Sequence, residues 1–155
     1  MIRLTKQTDY GIVLMTHLAR QPGQFFNAPE LATEAHLPLP MVSKILKLLA
    51  RAGLLDSQRG VKGGYALARG AREISVADII SALDGPIAIT ECIEDSPDEC
   101  SYEAHCGVRQ NWQRINLAVR RALDEISLEE MARPDMQPPR PTLAGQQLVS
   151  IGHRQ

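Results

Sequence analysis

Aromatic residues make up only 4% of this 155-residue chain, so its interior must be built from Leu, Ile, Val and Ala rather than from packed rings. Cysteine is scarce as well: three residues, an odd number, which argues against a disulfide framework. The three also lack the close C-x2-C spacing of zinc fingers and thioredoxin-like redox sites. No apolar run reaches the roughly 18 residues that a membrane-spanning helix needs. The stretch Met1-Ile2-Arg3-Leu4-Thr5-Lys6 turns polar within a few residues, so we expect no leader, no membrane partner and a cytoplasmic location. Missing too are a phosphate-binding glycine loop, a Ser/His/Asp set and a paired acid and base. His17, His36, His105 and His153 are scattered, and that pattern speaks against an enzyme.

What is present begins with a charge asymmetry. Residues 1–72 carry ten Lys/Arg against four Asp/Glu, whereas residues 73–155 carry seven against fourteen. A basic half suits a polyanionic partner, although a solvated surface could produce the same count.

The periodicity is mainly helical. Tyr10, Val13, Leu14 and Leu18 recur at helical spacing over Thr5 to Gln21, and Pro22-Gly23 stops that helix. Asn27-Ala28-Pro29-Glu30 reads as a capped start of a short second helix, with Glu30 three residues after the cap. Leu37-Pro38-Leu39-Pro40 forces a turn. A third helix follows over Met41 to Ala52, with Val42, Ile45, Leu46 and Leu49 on one side and Gly53 as its stop. Leu54–Gln58 and Tyr65–Ala68 predict a hairpin around the glycine-rich Arg59-Gly60-Val61-Lys62-Gly63-Gly64. Ser75 to Leu83 is a further capped helix ended by Gly85. These elements read as a mainly α winged helix-turn-helix unit over residues 1–85.

In such a unit the second helix of the pair enters the major groove. Its exposed early positions are Met41, Ser43, which can donate to a base or phosphate, and Lys44, with a second cation, Lys47, one turn later. The hairpin is then a wing expected to meet DNA through Arg59 and Lys62 at its tip and Gly63, Gly64 and Tyr65 at its return. Glycines there would let the backbone approach a duplex closely, and Arg59 suits a narrow minor groove. A solvated basic hairpin on a small helical domain is the bland alternative.

Residues 86–107 form a linker bearing Cys92, Cys100 and Cys106. Gaps of seven and five residues suit a loop wrapped around an iron–sulfur cluster, and thiolates are soft donors for it. Glu91, Glu94, Asp95, Asp98, Glu99 and Glu103 surround them without a Lys or Arg, so the segment should face away from a duplex. Two other chemistries fit: zinc on a Cys3His set that includes His105, and a metal-free thiol switch. Over 108–131, Val108, Trp112, Ile115, Val119, Ala122 and Ile126 recur as a heptad stripe. We expect one long dimerisation helix anchored by Trp112, with Leu128 and Met131 covering the end of the seam. Residues 132–155, rich in proline, are expected to be a disordered tail.

Several of these segments resemble the IscR/NsrR family of bacterial iron–sulfur transcription regulators. They are Leu4-Thr5-Lys6-Gln7-Thr8-Asp9-Tyr10, Val42–Leu49, Ala52-Gly53-Leu54-Leu55 and, most specifically, Arg59-Gly60-Val61-Lys62-Gly63-Gly64-Tyr65. The resemblance covers about Met1 to Met131 and is nearest to regulators of SUF-type cluster-assembly operons. It implies a homodimer that reads a pseudo-palindromic operator, with half-sites ~34 Å apart. It also implies a cluster on the three cysteines, [2Fe–2S] ahead of [4Fe–4S], and repression of cluster-assembly genes. Sensing of nitric oxide or redox state is the alternative within the family. Some members place a histidine three residues after the last cysteine, but here that position is Arg109, which cannot ligate. Nitric-oxide-sensing members use an N-terminal aspartate from the other subunit instead, and Asp9 occupies the matching position; His105 is the local alternative.

Overall fold

A computed structural model describes residues 4–90 and 106–133. Cys92, Cys100 and His105, and the proline-rich tail from residue 134, lie outside the described residues.

Helix α1 spans Lys6–Ala19, α2 Ala28–Glu34 and α3 Leu39–Arg51. Strands β1 (Leu55–Gln58) and β2 (Gly64–Leu67) pair antiparallel, with Leu55 opposite Leu67 and Ser57 opposite Tyr65. A short 3-10 turn over Ala71–Glu73 precedes α4 (Val76–Asp84). The described elements end with α5 (Arg109–Asp124) and α6 (Leu128–Ala132).

The helix starts follow local chemistry. Asn27 and Glu30 form a reciprocal capping box on α2, and Ser75 and Asp78 form another on α4. Helix ends are more varied. Gly53, at φ 74°, closes α3 as the left-handed residue after the cap, with Leu54 N–H donating to Leu49 O. The same arrangement ends α2, but His36 takes the left-handed position at φ 54° while Leu37 N–H donates to Ala32 O. The turn between α2 and α3 is therefore made before the two prolines are reached.

Leu14, Met15, Leu18, Leu31, Ile45, Leu46 and Leu49 are completely or almost completely buried where α1, α2 and α3 meet. Gly11 faces Leu83 where α1 crosses α4: a Cβ there would lie 2.2 Å from Leu83 Cδ1, so that side chain would have to turn aside. Thr5 locks the same corner by capping α1 and donating to Asp84 Oδ1 at 2.7 Å. Phe26 adds a third, one-residue strand to the hairpin through two backbone bonds with Tyr65 (2.8 and 3.0 Å). The fold is thus a mainly helical winged helix-turn-helix.

The C-terminal region departs from the expected single helix over 108–131. Helix α5 stops at Asp124, and Ile126 O accepts from Val76 N–H at 2.9 Å instead of continuing a helix. Leu128 N–H then donates to Ile74 O at 2.8 Å, and Ser127 with Glu130 caps α6 as a new helix. Leu128 does not cover a seam on α5. It is fully buried in the winged-helix core, so that core extends beyond residue 85. The physical reason is that the two short backbone pairings beside Ile74 and Val76 compete with helix continuation, and Ser127 supplies a stop and a restart.

Candidate nucleic-acid interface and sensor segment

Helix α3 is strongly two-sided. Val42, Ile45, Leu46 and Leu49 face the core, while Lys44, Lys47 and Arg51 are exposed and Ser43 is half-buried. Lys44, Lys47 and Arg51 stand at i, i+3 and i+7, so they form one cationic row. Arg51 was missed in reading the sequence, although its spacing from Lys44 was the available signal. Pro38 gives α3 no side-chain cap, Pro40 has no N–H and Val42 N–H donates to Pro38 O, so in the first turn the Leu39 and Met41 N–H groups are the ones left for an anionic oxygen.

The wing places Arg59 and Lys62 in solvent on either side of Gly60 (φ 116°), with Gly63 N–H donating to Gly60 O to close the tip. Val61 at the tip is completely exposed. The two glycines of the return have an architectural cause that the sequence alone did not disclose. A Cβ on Gly63 would lie 2.2 Å from Gln58 O, and one on Gly64 2.3 Å from Phe26 O, both backbone atoms that cannot move aside. Tyr65 is half-buried against the core, and its backbone holds Phe26. Lys44, Lys47, Arg59 and Lys62 are all exposed on the helix-turn-helix and wing.

Two of the candidate cluster ligands are within the described residues. Asp9 is exposed in the first turn of α1. Cys106 is a free, half-buried thiol three residues before α5, with its carbonyl accepting from Arg109 N–H. Among the described residues no three His, Cys, Asp or Glu side chains come together as a metal site, but Cys92, Cys100 and His105 are outside that set. Trp112 and Val119 are half-buried on α5, Ile126 is half-buried beyond its end, and Ile115 (45%), Leu117 (52%) and Val108 (51%) are exposed.

A basic helix-turn-helix with a glycine-braced wing is matched from residue 4 to residue 134 by the Rrf2 family, described as iron-dependent transcriptional regulators. This chain belongs to the Rrf2 family. Members of the family are DNA-binding transcription regulators rather than enzymes.

The chain is similar to CymR, described as the global cysteine regulator of Bacillus subtilis. The solved CymR structure superposes with a TM-score of 0.67 at 32% identity, covering 85% of this chain and 97% of that one. T. potens IscR matches with a TM-score of 0.63 at 28% identity, covering 84% and 85% of the two chains. The transcriptional regulator NsrR of Bacillus subtilis is 24% identical over 133 residues, covering 85% of this chain and 91% of its own length. Among the described residues no helix is long and apolar enough to cross a membrane.

Proposed function

We propose that this Rrf2 regulator is a homodimer whose operator affinity is set by an iron–sulfur cluster on Cys92, Cys100 and Cys106, and that it represses SUF-type cluster-assembly genes. The observation that carries the reading is the placement of all three cysteines in the single stretch between α4 and α5, in a family described as iron-dependent. The donor set fits the group: three soft thiolates at spacings that match neither a zinc finger nor a dithiol redox site. A bound cluster supplies redox and ligand-exchange chemistry at iron.

The chain's own residues do the rest. Ser43, Lys44 and Lys47 on α3, and Arg59 and Lys62 on the wing, meet the duplex. Gly63, Gly64 and Tyr65 keep the wing in shape. Trp112, Ile115, Val119 and Ile126 serve the dimer. Asp9 of the partner subunit is the fourth ligand, with His105 as the local alternative. An Asp9 ligand would tie the DNA-binding unit of one subunit to the cysteine segment of the other. The two recognition helices would then have two spacings, one for each cluster state. Coupling of ~1–3 kcal/mol would change operator affinity by roughly 5–150-fold.

Anaerobic purification followed by visible spectroscopy and native mass spectrometry tests this reading directly. Coloured, iron-bearing dimers that lose colour in the Cys92/Cys100/Cys106→Ser variant, together with operator affinity, uphold it. Colourless wild-type protein that binds the operator as tightly as the serine variant overturns it. Asp9→Ala and His105→Ala identify the fourth ligand by which of them loses iron. A metal-free thiol switch is the second reading, favoured by the likeness to CymR, a cysteine regulator by its description. Reversible cysteine pairing in iron-free protein, followed by alkylation, would support it.

A further inference from the structure

One polar side chain is buried where α5 meets the root of the cysteine segment. Asn116 is 6% exposed, although most of its neighbours along α5 face solvent. Its Nδ2 donates to Ile87 O at 2.9 Å, and its Oδ1 accepts from Ile89 N–H at 3.2 Å. One amide thereby pairs with a donor and an acceptor two residues apart on the same irregular stretch. Ile87 and Ile89, both half-buried, also line a largely apolar groove, half open to solvent, with Leu4, Ile80, Asp84, Val119 and Leu123. In such surroundings an unpaired backbone group is costly, so the amide is specific: a carboxylate lacks the donor and an aliphatic side chain lacks both.

The position of this contact in the chain matters. Gly85, at φ 89°, breaks the chain away from α4, and Pro86–Thr90 has no helix or strand of its own. Ile89 stands three residues before Cys92, and Cys106 stands three residues before the first residue of α5. The described residues on either side of Cys92 and Cys100 are therefore both tied to α5: Ile89 through Asn116, and Cys106 through its carbonyl and Arg109 N–H.

We propose that Asn116 is a positioning residue that fixes, on α5, the point from which the cysteine-bearing segment departs, and so ties the state of the cysteines to that helix. The coupling half of this statement rests on the cysteine-sensing reading given under Proposed function; the positioning half does not.

The test uses full-length protein, reduced and stripped of metal under anaerobic conditions. Amide exchange at Ile89 and alkylation rates of Cys92 and Cys106 are compared in wild type, Asn116→Asp, Asn116→Leu and the exposed α5 control Asn111→Ala. The Leu variant should speed both by roughly tenfold, the Asp variant by less, and the control not at all. A fold-wide effect is separated by the operator affinity of the metal-free protein, expected to stay at the wild-type value while the circular dichroism melt falls by only a few degrees. The ratio of operator affinities with and without bound iron should then fall toward one in the Leu variant. Wild-type exchange and alkylation in Asn116→Leu would overturn the proposal, and so would a preserved affinity ratio despite faster alkylation. Faster alkylation in a protein whose wild-type affinity ratio is already one would uphold positioning and sink the sensing reading instead.

Discussion

Leu128 and Ile115 are both aliphatic residues of the C-terminal part of the chain, and they belong to different kinds of region. Leu128 is sealed in the winged-helix core between backbone pairings to Ile74 and Val76. Ile115 is 45% exposed on a helix that meets the rest of the molecule mainly along α4. The winged-helix unit is held by a closed apolar interior, whereas α5 packs on α4 along one side and leaves Ile115 and Leu117 exposed. Under the function proposed above, that contrast suits a rigid reading head joined to α5 by an attachment that can take more than one arrangement.

The sharpest way to break the contrast is Leu128→Ala. It should cost about 2–5 kcal/mol of unfolding stability, read as a lower urea midpoint at unchanged slope. A loss below about 0.5 kcal/mol would mean that α6 is not part of the core. Next comes Ile115→Asp. For a residue at the centre of a dimer seam we expect dissociation to worsen by about 30-fold or more in sedimentation experiments, with monomer stability within about 0.5 kcal/mol of wild type. An unchanged dissociation constant would leave the stripe without a partner.

Smaller effects separate the cations. Lys44→Ala, Lys47→Ala and Arg51→Ala should each lower the slope of log operator affinity against log salt by about 1. If Arg51 leaves the slope unchanged, the row on α3 ends at Lys47.

The smallest effect concerns Glu130. Hydrogen bonds from the Ser127 backbone and hydroxyl hold its carboxyl below the ordinary carboxylate range, with desolvation opposing them and Arg133 and Arg72 assisting. A lowered folded value means that this contribution is present above the unfolded value and disappears as the pH falls through the folded one. The melting difference between wild type and Glu130→Ala should therefore be largest near neutrality and shrink on acidification.

Much of the reading head was legible. Capping boxes announce helix starts because their partners are three residues apart, and Gly53 announces a stop because few residues tolerate its φ. The heptad stripe, by contrast, misled at its end. Periodicity cannot see that Ile126 lies beside Val76, and that pairing is what ends α5. His36 gave no signal of a left-handed turn, since histidine is not the expected residue there. Gly63 and Gly64 suggested close approach to a duplex, yet the atoms that exclude a Cβ are the chain's own Gln58 and Phe26 carbonyl oxygens. Asn116 looked like one more polar helix position until the backbone of residues 87–89 was placed against it.

The sequence by itself determined the capped starts of α2 and α4, the basic face of α3, the glycine-tipped wing and the grouping of three thiols, because each depends on residues within a few positions of one another. Tertiary structure alone decided that Leu128 completes the winged-helix core, that Phe26 joins the wing and that Asn116 grips the root of the cysteine segment. Those outcomes depend on groups 27 to 54 residues apart in the chain, whose meeting is set by how the helices pack and leaves no periodic trace to read.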